Sequence, residues 1–296
     1  MAGSFLGSKG ESPDLKPQVT DQLRYEWHYI LQRSAGGFLF GVPLLYTIEL
    51  WSIGSESRPL WLLSALGIGF IGVFLITHAE ILRRHGRLNC WENFRETVEV
   101  LAIGLICAAI SLVLIRRITW ETPLNEILGK LVFEGISFSF GAALAVSLLK
   151  KGTPPEDQES PHPDFRDTLA DLDATLLGAF IIAFNIAPTD EVTFLATDIP
   201  PLWLLVLMGA SLFISYLIVF AAGFTNQQER QAQLGWIHRP ITETLVAYLI
   251  SLGAGLLMLY FFHQLSPHDP WQKWLSSTIV LGLPASIGGA AGRIIL

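Results

Sequence analysis

Apolar runs of about 20 residues alternate with short polar segments along the whole chain. A helix rises 1.5 Å per residue, so one such run crosses about 30 Å of hydrocarbon once. A bilayer permits only helices or closed barrels, and these runs are much longer than barrel strands. The pattern predicts an all-α polytopic membrane protein with eight transmembrane helices. The predicted spans are residues 34–53, 60–82, 96–115, 129–149, 170–190, 201–222, 241–262 and 274–294.

The pattern occurs twice. The stretch Gly36–Glu49, GGFLFGVPLLYTIE, returns 142 residues later as Gly178–Glu191, GAFIIAFNIAPTDE. The same offset carries on through the motif PLWLL, and an offset of 147 then aligns the last two spans of each copy. The single change of offset falls in a loop, as expected of a true duplication. Four spans are an even number, so the sequence predicts two parallel four-helix repeats related by an axis along the membrane normal.

The repeat predicts the domain organisation. The polar N-terminal segment lacks the apolar core of a signal peptide and is predicted to be a disordered cytoplasmic tail over residues 1–22. The first membrane repeat then covers residues 23–151. Residues 152–167, rich in proline and acid, are predicted to be a cytoplasmic linker, and residues 168–296 form the second repeat.

Composition and charge agree with this organisation. Hydrophobic residues make up 51% of the chain and charged residues only 15%, against about 25% in soluble domains. Fourteen of the 19 lysines and arginines fall on one predicted side of the membrane. The positive-inside rule therefore predicts that both termini are cytoplasmic. The predicted partner is the lipid bilayer, with a possible homo-oligomer or membrane complex, and no basic surface for nucleic acid is left.

Motifs for catalysis or cofactors are missing from the sequence. Cys90 lies in a polar loop and Cys107 inside an apolar span, so neither a disulfide nor a metal spacing is predicted. The phosphate-binding pattern GxxxxGK[ST] and the zinc pattern HExxH do not occur. We therefore expect no cofactor, no metal and no enzymatic activity.

Two proline-interrupted spans carry the leading candidates for an ion path. Pro43 and Pro188 each precede an acid near the end of a span, and proline frees a backbone carbonyl. Broken helices beside acids form ion sites in several transporter folds. The alternative is that both acids simply end their helices in headgroup water. The candidate set is Glu49, Glu191, Asp190, Thr47 and Thr189.

Other acids occur within or beside the spans. Glu99 lies one helical turn deeper than Glu96 and has no acidic counterpart in the second repeat, so it joins the candidates for an ion or substrate path. Glu96 and its counterpart Glu243 open their spans, where an acid complements the helix dipole. Glu134 is predicted to lie one turn into span 4, also without an acidic counterpart.

Spans 4 and 8 each carry small residues at every fourth position. Such a stripe allows another helix backbone to approach closely. We expect these stripes to pack one half on the other, or one subunit on another, rather than to line a pore. The residues are Gly135, Ser139, Ala143, Gly282, Ser286 and Ala290.

Three stretches resemble a family of bacterial integral membrane proteins of unknown function. They are RSAGGFLFGVPLLYTIELW, RRHGRLNCWENFRETVEVL and GLPASIGGAAGR. The resemblance covers nearly the whole chain outside the tail. It implies a bacterial inner membrane and seven or eight spans, and it supplies neither an activity nor site residues.

Two functions fit these features. The first is a secondary transporter or channel for a small cation or proton, built on the paired acids of the broken spans. The second is a membrane scaffold or an accessory subunit of a larger complex, which the small-residue stripes fit equally well. The position of the acids relative to the membrane interior distinguishes the two.

Overall fold

In a computed structural model, residues 15–85, 90–149, 165–221 and 240–295 are described, and their regular structure is helical throughout. The first five helices are α1 (Leu15–Leu45), α2 (Ile48–Glu56), α3 (Pro59–His85), α4 (Cys90–Leu114) and α5 (Leu124–Leu149). The next five are α6 (Phe165–Ile186), α7 (Glu191–Asp198), α8 (Pro201–Tyr216), α9 (Pro240–Phe261) and α10 (Trp271–Ile295). A π-helical turn, Leu217–Ala221, continues α8 directly.

Two predicted polar segments lie mainly outside the described residues. Of the tail predicted for residues 1–22, only the part from Leu15 is described, and it belongs to α1. Of the linker predicted for residues 152–167, only the part from Phe165 is described, and it belongs to α6.

Six helices of the described chain are long and apolar enough to cross a bilayer. They contain the segments Pro59–Ala79, Cys90–Leu114, Leu124–Ala145, Pro201–Phe220, Pro240–Phe261 and Trp271–Ile294. Helices α6 and α7 meet at an angle of 90° and form a seventh candidate if they count as one span. The protein is therefore an all-α membrane protein with six or seven candidate spans. The predicted first span, residues 34–53, is divided between α1 and α2, so a count of eight stays a prediction.

The two helix breaks have the same local geometry. The backbone N–H of Thr47 donates to the carbonyl of Leu44 over 3.0 Å, and that of Thr189 donates to Ile186 over 3.1 Å. Pro188 follows the end of α6 at Ile186, and because proline lacks an N–H group it cannot continue the helical hydrogen bonds. Helix α1 ends two residues after Pro43.

Helix α10 lies at the centre of the bundle, and α3 lies at its edge. In the most apolar 18-residue stretch of each helix, 78% of the residues of α10 are buried, but only 17% of those of α3. The exposed side of α3 carries large apolar side chains, among them Leu60, Trp61 and Ile68. Such a surface would be unfavourable in water, so it is the surface that the lipid covers.

The two halves of the chain share one hydrophobic core. Buried side chains from both halves belong to one cluster, for example Leu112 of α4 and Leu207 of α8. A buried hydrogen bond also joins the halves, because the hydroxyl of Tyr46 donates to the carbonyl of Val280 over 2.5 Å. The halves therefore form one packed body.

The turn before α10 depends on one carboxylate outside the apolar spans. Asp269 accepts hydrogen bonds from the backbone N–H of Ser266 over 2.7 Å and from Nζ of Lys273 over 3.1 Å. The hydrogen bond from the Ser266 N–H has the larger effect and that from Lys273 the smaller one. Together they lower the pKa of Asp269 below its ordinary value of 3.8. Because the folded-state pKa is the lower one, the carboxylate stabilises the fold above about pH 4, and this contribution is lost as pH falls further.

We expect Asp269→Asn to lower the melting temperature at pH 7. The asparagine amide is uncharged, so its hydrogen bonds with Ser266 and Lys273 would be weaker than those of the carboxylate. The difference between the variant and wild type should shrink as pH falls below 4. Thermal unfolding in detergent between pH 3 and pH 7 measures it. A difference that is independent of pH would show that the charge of Asp269 does not contribute.

Candidate functional site

The threonines of the predicted ion path cap the two helix breaks. The hydroxyl of Thr47 donates to the carbonyl of Leu44, and that of Thr189 donates to the carbonyl of Ile186 over 2.7 Å. Each hydroxyl therefore satisfies a carbonyl at the end of a broken helix. Their lone pairs remain as acceptors at the same two places.

The acids of the predicted path lie at the starts of the two short helices. Glu191 opens α7 and is half-buried, and its Oε2 is buried without a hydrogen-bond partner among the described residues. Asp190 precedes it, is exposed, and accepts a hydrogen bond from Gln264 over 3.4 Å. Glu49 lies in α2, but its side chain is outside the described part of the structure. The pairing of Glu49 with Glu191 therefore stays a prediction.

Glu99 lies on the outside of the bundle. Its side chain is 48% exposed on α4 and forms an ion pair with Arg95 over 3.3 Å. The two residues are one helical turn apart, so the pair forms within a single helix. Glu99 is therefore not buried inside the bundle.

Glu134 is the most unusual acid of the described chain. It is 0% exposed, and both carboxylate oxygens lack a hydrogen-bond partner among the described residues. The sequence-based boundary of span 4 at residue 129 places Glu134 near one end, but α5 begins at Leu124. Glu134 is thus the eleventh residue of the 22-residue apolar segment Leu124–Ala145, at its midpoint.

A column of ionisable side chains leads along α5 to Glu134. Glu126, Lys130 and Glu134 are spaced by four residues, so they lie on one helix face about 6 Å apart along the axis. Nζ of Lys130 donates to Oε1 of Glu126 over 2.5 Å and to the carbonyl of Arg117 over 2.9 Å. The Glu126 side chain is 31% exposed, whereas that of Lys130 is 8% exposed. The column therefore runs from the surface to the middle of the span.

Arg33 forms a buried ion pair in the first half. Its side chain is fully buried, and Nη2 lies 2.5 Å from Oε1 of Glu96 in α4. Nη1 donates to the carbonyls of Ala142 and Ala143 in α5 over 2.9 and 3.1 Å. The guanidinium also lies over the ring of Tyr29, 5.1 Å from its centroid. One side chain thus joins α1, α4 and α5.

Arg293 forms a corresponding cluster in the second half. It pairs with Glu243 of α9, and with Asp171 of α6 over 3.3 Å. The Arg293 side chain is 2% exposed, and its guanidinium lies 5.9 Å from the ring centroid of Phe220. In this half the arginine comes from α10, whereas in the first half it comes from α1.

The explanation of Glu96 and Glu243 as helix caps is therefore incomplete. Glu243 lies in the first turn of α9, but α4 begins at Cys90, so Glu96 is its seventh residue and does not cap it. Each acid also neutralises a buried arginine. Sequence reasoning counted Arg33 and Arg293 only as loop charges of the positive-inside rule. The available signal was that each arginine directly borders an apolar, glycine-rich stretch of a helix.

The small-residue stripes pack helices within each half, whereas the sequence predicted that they pack one half on the other or one subunit on another. A β-carbon added to Gly104 of α4 would lie 2.5 Å from the backbone nitrogen of Ser139, and one added to Gly135 would lie 3.4 Å from Cα of Leu105. The stripe of α5 therefore contacts α4. In the second half, a β-carbon at Gly282 would meet the Leu252 side chain of α9 at 2.5 Å.

The described residues contain no group of three or more histidine, cysteine, aspartate or glutamate side chains that could hold a metal ion.

No curated protein and no solved structure matches the chain. One family model, described as "Putative integral membrane protein (DUF2391)", matches residues 30–296. The resemblance found in the three sequence stretches is thus confirmed. The match spans nearly the whole chain and agrees with the apolar helices of the structure, so the chain belongs to this family of integral membrane proteins.

Proposed function

We propose that this protein is a secondary transporter or channel for protons, and that Glu134 is its proton-binding group. The observation that supports this proposal is the fully buried carboxyl group at the middle of an apolar span. Ionisable residues inside membrane spans are costly, and they mark ion pathways and proton relays.

The missing partners of Glu134 favour a proton. An ionised carboxylate without hydrogen bonds or a counter-ion is strongly unfavourable in an apolar interior. The arrangement around Glu134 therefore suits the protonated, neutral acid. Release of the proton requires water or a cation to reach the group, which means a second conformation of the helices around it. A group that changes charge only when the protein opens couples proton binding to the conformational change.

The column on α5 supports a direction of access. Lys130 lies one turn from Glu134 toward the surface, and Glu126 lies one turn further. The ammonium group of Lys130 is held by Glu126 and by the carbonyl of Arg117, away from Glu134. Movement of this one side chain toward Glu134 would stabilise the carboxylate after it has lost its proton.

The architecture that we propose for the transporter is a pair of parallel four-helix repeats. Turns at equivalent positions support it. Arg116 and His263, which are 147 residues apart, both adopt left-handed backbone angles, with φ of 59° and 62°. In the first turn the N–H of Arg117 donates to the carbonyl of Leu112 over 2.8 Å. In the second turn the N–H of Gln264 donates to the carbonyl of Leu259 over 2.9 Å. Non-glycine residues rarely adopt this conformation, so two occurrences at the repeat offset favour a duplication.

Close helix crossings give further support. A β-carbon at Gly36 would lie 2.7 Å from the carbonyl oxygen of Gly141, where α1 crosses α5. A β-carbon at Gly178 would lie 3.0 Å from the carbonyl carbon of Gly288, where α6 crosses α10. The two crossings occupy corresponding positions at the offsets of 142 and 147.

The location that we propose is a bacterial inner membrane, with both termini in the cytoplasm. The excess of lysine and arginine on one predicted side supports the orientation. In this orientation the Arg33 and Arg293 clusters lie toward the cytoplasm, and Glu126 opens toward the outer side.

Proton flux into liposomes tests the proposed function. Wild-type protein in vesicles that contain a pH-sensitive dye should acidify the lumen after an acid pulse faster than protein-free vesicles. Glu134→Gln should reduce the protein-dependent flux to the protein-free rate, because the amide has nearly the same volume but does not exchange a proton. Its melting temperature should stay close to that of wild type, since the neutral acid and the amide are both uncharged.

Glu121→Gln is the matched control, because Glu121 is an exposed acid in the turn before α5. It should keep the wild-type flux. Equal flux in wild type and Glu134→Gln would remove Glu134 from the mechanism. A parallel loss in Glu49→Gln with Glu191→Gln would place the paired acids on the same path. No flux above protein-free vesicles under any tested ion gradient would contradict transport and favour a scaffold or accessory subunit.

A further inference from the structure

A pocket of about 340 Å³ opens at the end of the bundle where α8 and α10 begin. Helix α7 forms one side, and the first turns of α8 and α10 form the others. The walls are mainly apolar and include Ala196, Ile199, Leu204 and Leu275. This volume falls in the range of small-molecule sites, which are likewise mainly apolar with a few polar groups.

One polar group in this pocket lacks a partner. Ser277 lines the pocket, is 1% exposed, and its hydroxyl has no hydrogen-bond partner among the described residues. A buried hydroxyl is unfavourable unless it is hydrogen-bonded. The pocket therefore presents an unsatisfied hydroxyl inside an otherwise apolar space, which an occupant with a hydrogen-bond acceptor would satisfy.

The mouth of the pocket carries a cation at the start of a long helix. Lys273 lies in the first turn of α10, one turn before Ser277 and about 6 Å from it along the axis. It pairs with Asp269 over 3.1 Å, and its side chain is 33% exposed. The free N–H groups of a helix N-terminus also favour an anion. Trp271, at the rim, is 69% exposed, as expected of an anchor at the headgroup level.

The first half shows why a pocket exists here. Under the proposed repeat, Ala196 and Ser276 of the pocket correspond to Gly54 and Gly129. A β-carbon at Gly54 would lie 2.7 Å from the Gly129 carbonyl oxygen, so α2 lies directly against α5. In the second half Ala196 and Ser276 stand at these positions, and both line the pocket. Ser277 corresponds to Lys130, so a long side chain of the first half is replaced by a short one.

We propose that this pocket binds one anionic phospholipid from the surrounding leaflet. The lipid phosphate lies at Lys273 and the first turn of α10, and an acyl chain occupies the apolar part of the pocket. The hydroxyl of Ser277 donates a hydrogen bond to an ester carbonyl. The site is distinct from Glu134, which lies in the other half.

Native mass spectrometry of the full chain in mild detergent tests this proposal. Titration with dioleoyl phosphatidylglycerol should give one tightly retained lipid per protein. Lys273→Gln should weaken its binding about tenfold, the effect expected when one charge-assisted contact is lost. Arg58→Gln, which removes an exposed cation from the loop between α2 and α3, should bind the lipid as wild type does.

Ser277→Thr and Ser277→Val provide a pair of nearly equal volume that differ in the hydroxyl group. The threonine variant should bind the lipid several-fold more tightly than the valine variant. Equal affinities for wild type, Lys273→Gln and Ser277→Val would overturn the proposal. It would also be wrong if wild type retained no lipid, or if glycerol 3-phosphate, which lacks acyl chains, competed as well as the lipid. Proton flux is not part of this test, so its result is independent of the proposed transport.

Discussion

Arg33→Gln should lower the free energy of unfolding by about 3–5 kcal/mol, the usual cost of removing one partner from a buried ion pair. The guanidinium is fully buried, pairs with Glu96 and donates to two carbonyls of α5. Glutamine is shorter and uncharged, so Glu96 would keep its charge without its counter-ion. Reversible unfolding in mixed detergent micelles measures the change.

The double variant Arg33→Met with Glu96→Leu separates the charge from the packing. Replacement of both partners by apolar side chains of similar size removes the uncompensated charge, so it should recover most of the lost stability. If the double variant is as unstable as Arg33→Gln alone, the bonds to Ala142 and Ala143 rather than the ion pair account for the effect. A change below about 1 kcal/mol in Arg33→Gln, the typical value of an exposed pair, would contradict the buried geometry.

Gly178→Ala should lower the free energy of unfolding by about 1–3 kcal/mol, the usual cost of overpacking. A β-carbon at this position would lie 2.9 Å from the backbone nitrogen of Gly292 and 3.0 Å from the carbonyl carbon of Gly288. Both neighbours are backbone atoms, so no flexible side chain can move aside. Helix α6 would have to move away from α10 along the whole crossing.

Gly209→Ala is the control, because a β-carbon added there meets no atom within 4 Å. Alanine is the better helix former, so this variant should be as stable as wild type or up to about 1 kcal/mol more stable. The two substitutions are chemically identical and differ only in their surroundings. The same unfolding measurement therefore compares them directly. Equal effects would show that the crossing of α6 and α10 is looser than the structure has it.

The candidate site was only partly predictable from the sequence. The broken helices were predicted from Pro43, Pro188 and the acids that follow, and both breaks occur in the structure. The sequence ranked Glu134 below those acids, because a start of span 4 at residue 129 placed it one turn into the span and Leu281 is its counterpart in the second repeat. The first residues of α5, LNEILGK, include several polar side chains, so the hydrophobic pattern did not assign the first turns to the span. A shift of five residues moved the acid to the middle of the span.

The sequence by itself determined that this is a helical membrane protein, because apolar run length and charge pattern depend only on local composition. It also indicated the break after α6, because Pro188 cannot continue the hydrogen bonds of its own helix. The tertiary structure alone decided which polar groups are buried together. The partners Arg33 and Glu96 are 63 residues apart, and periodicity carries no information on such pairs. The isolation of Glu134 and the unsatisfied hydroxyl of Ser277 likewise depend on neighbouring helices, since burial is a property of the packed bundle.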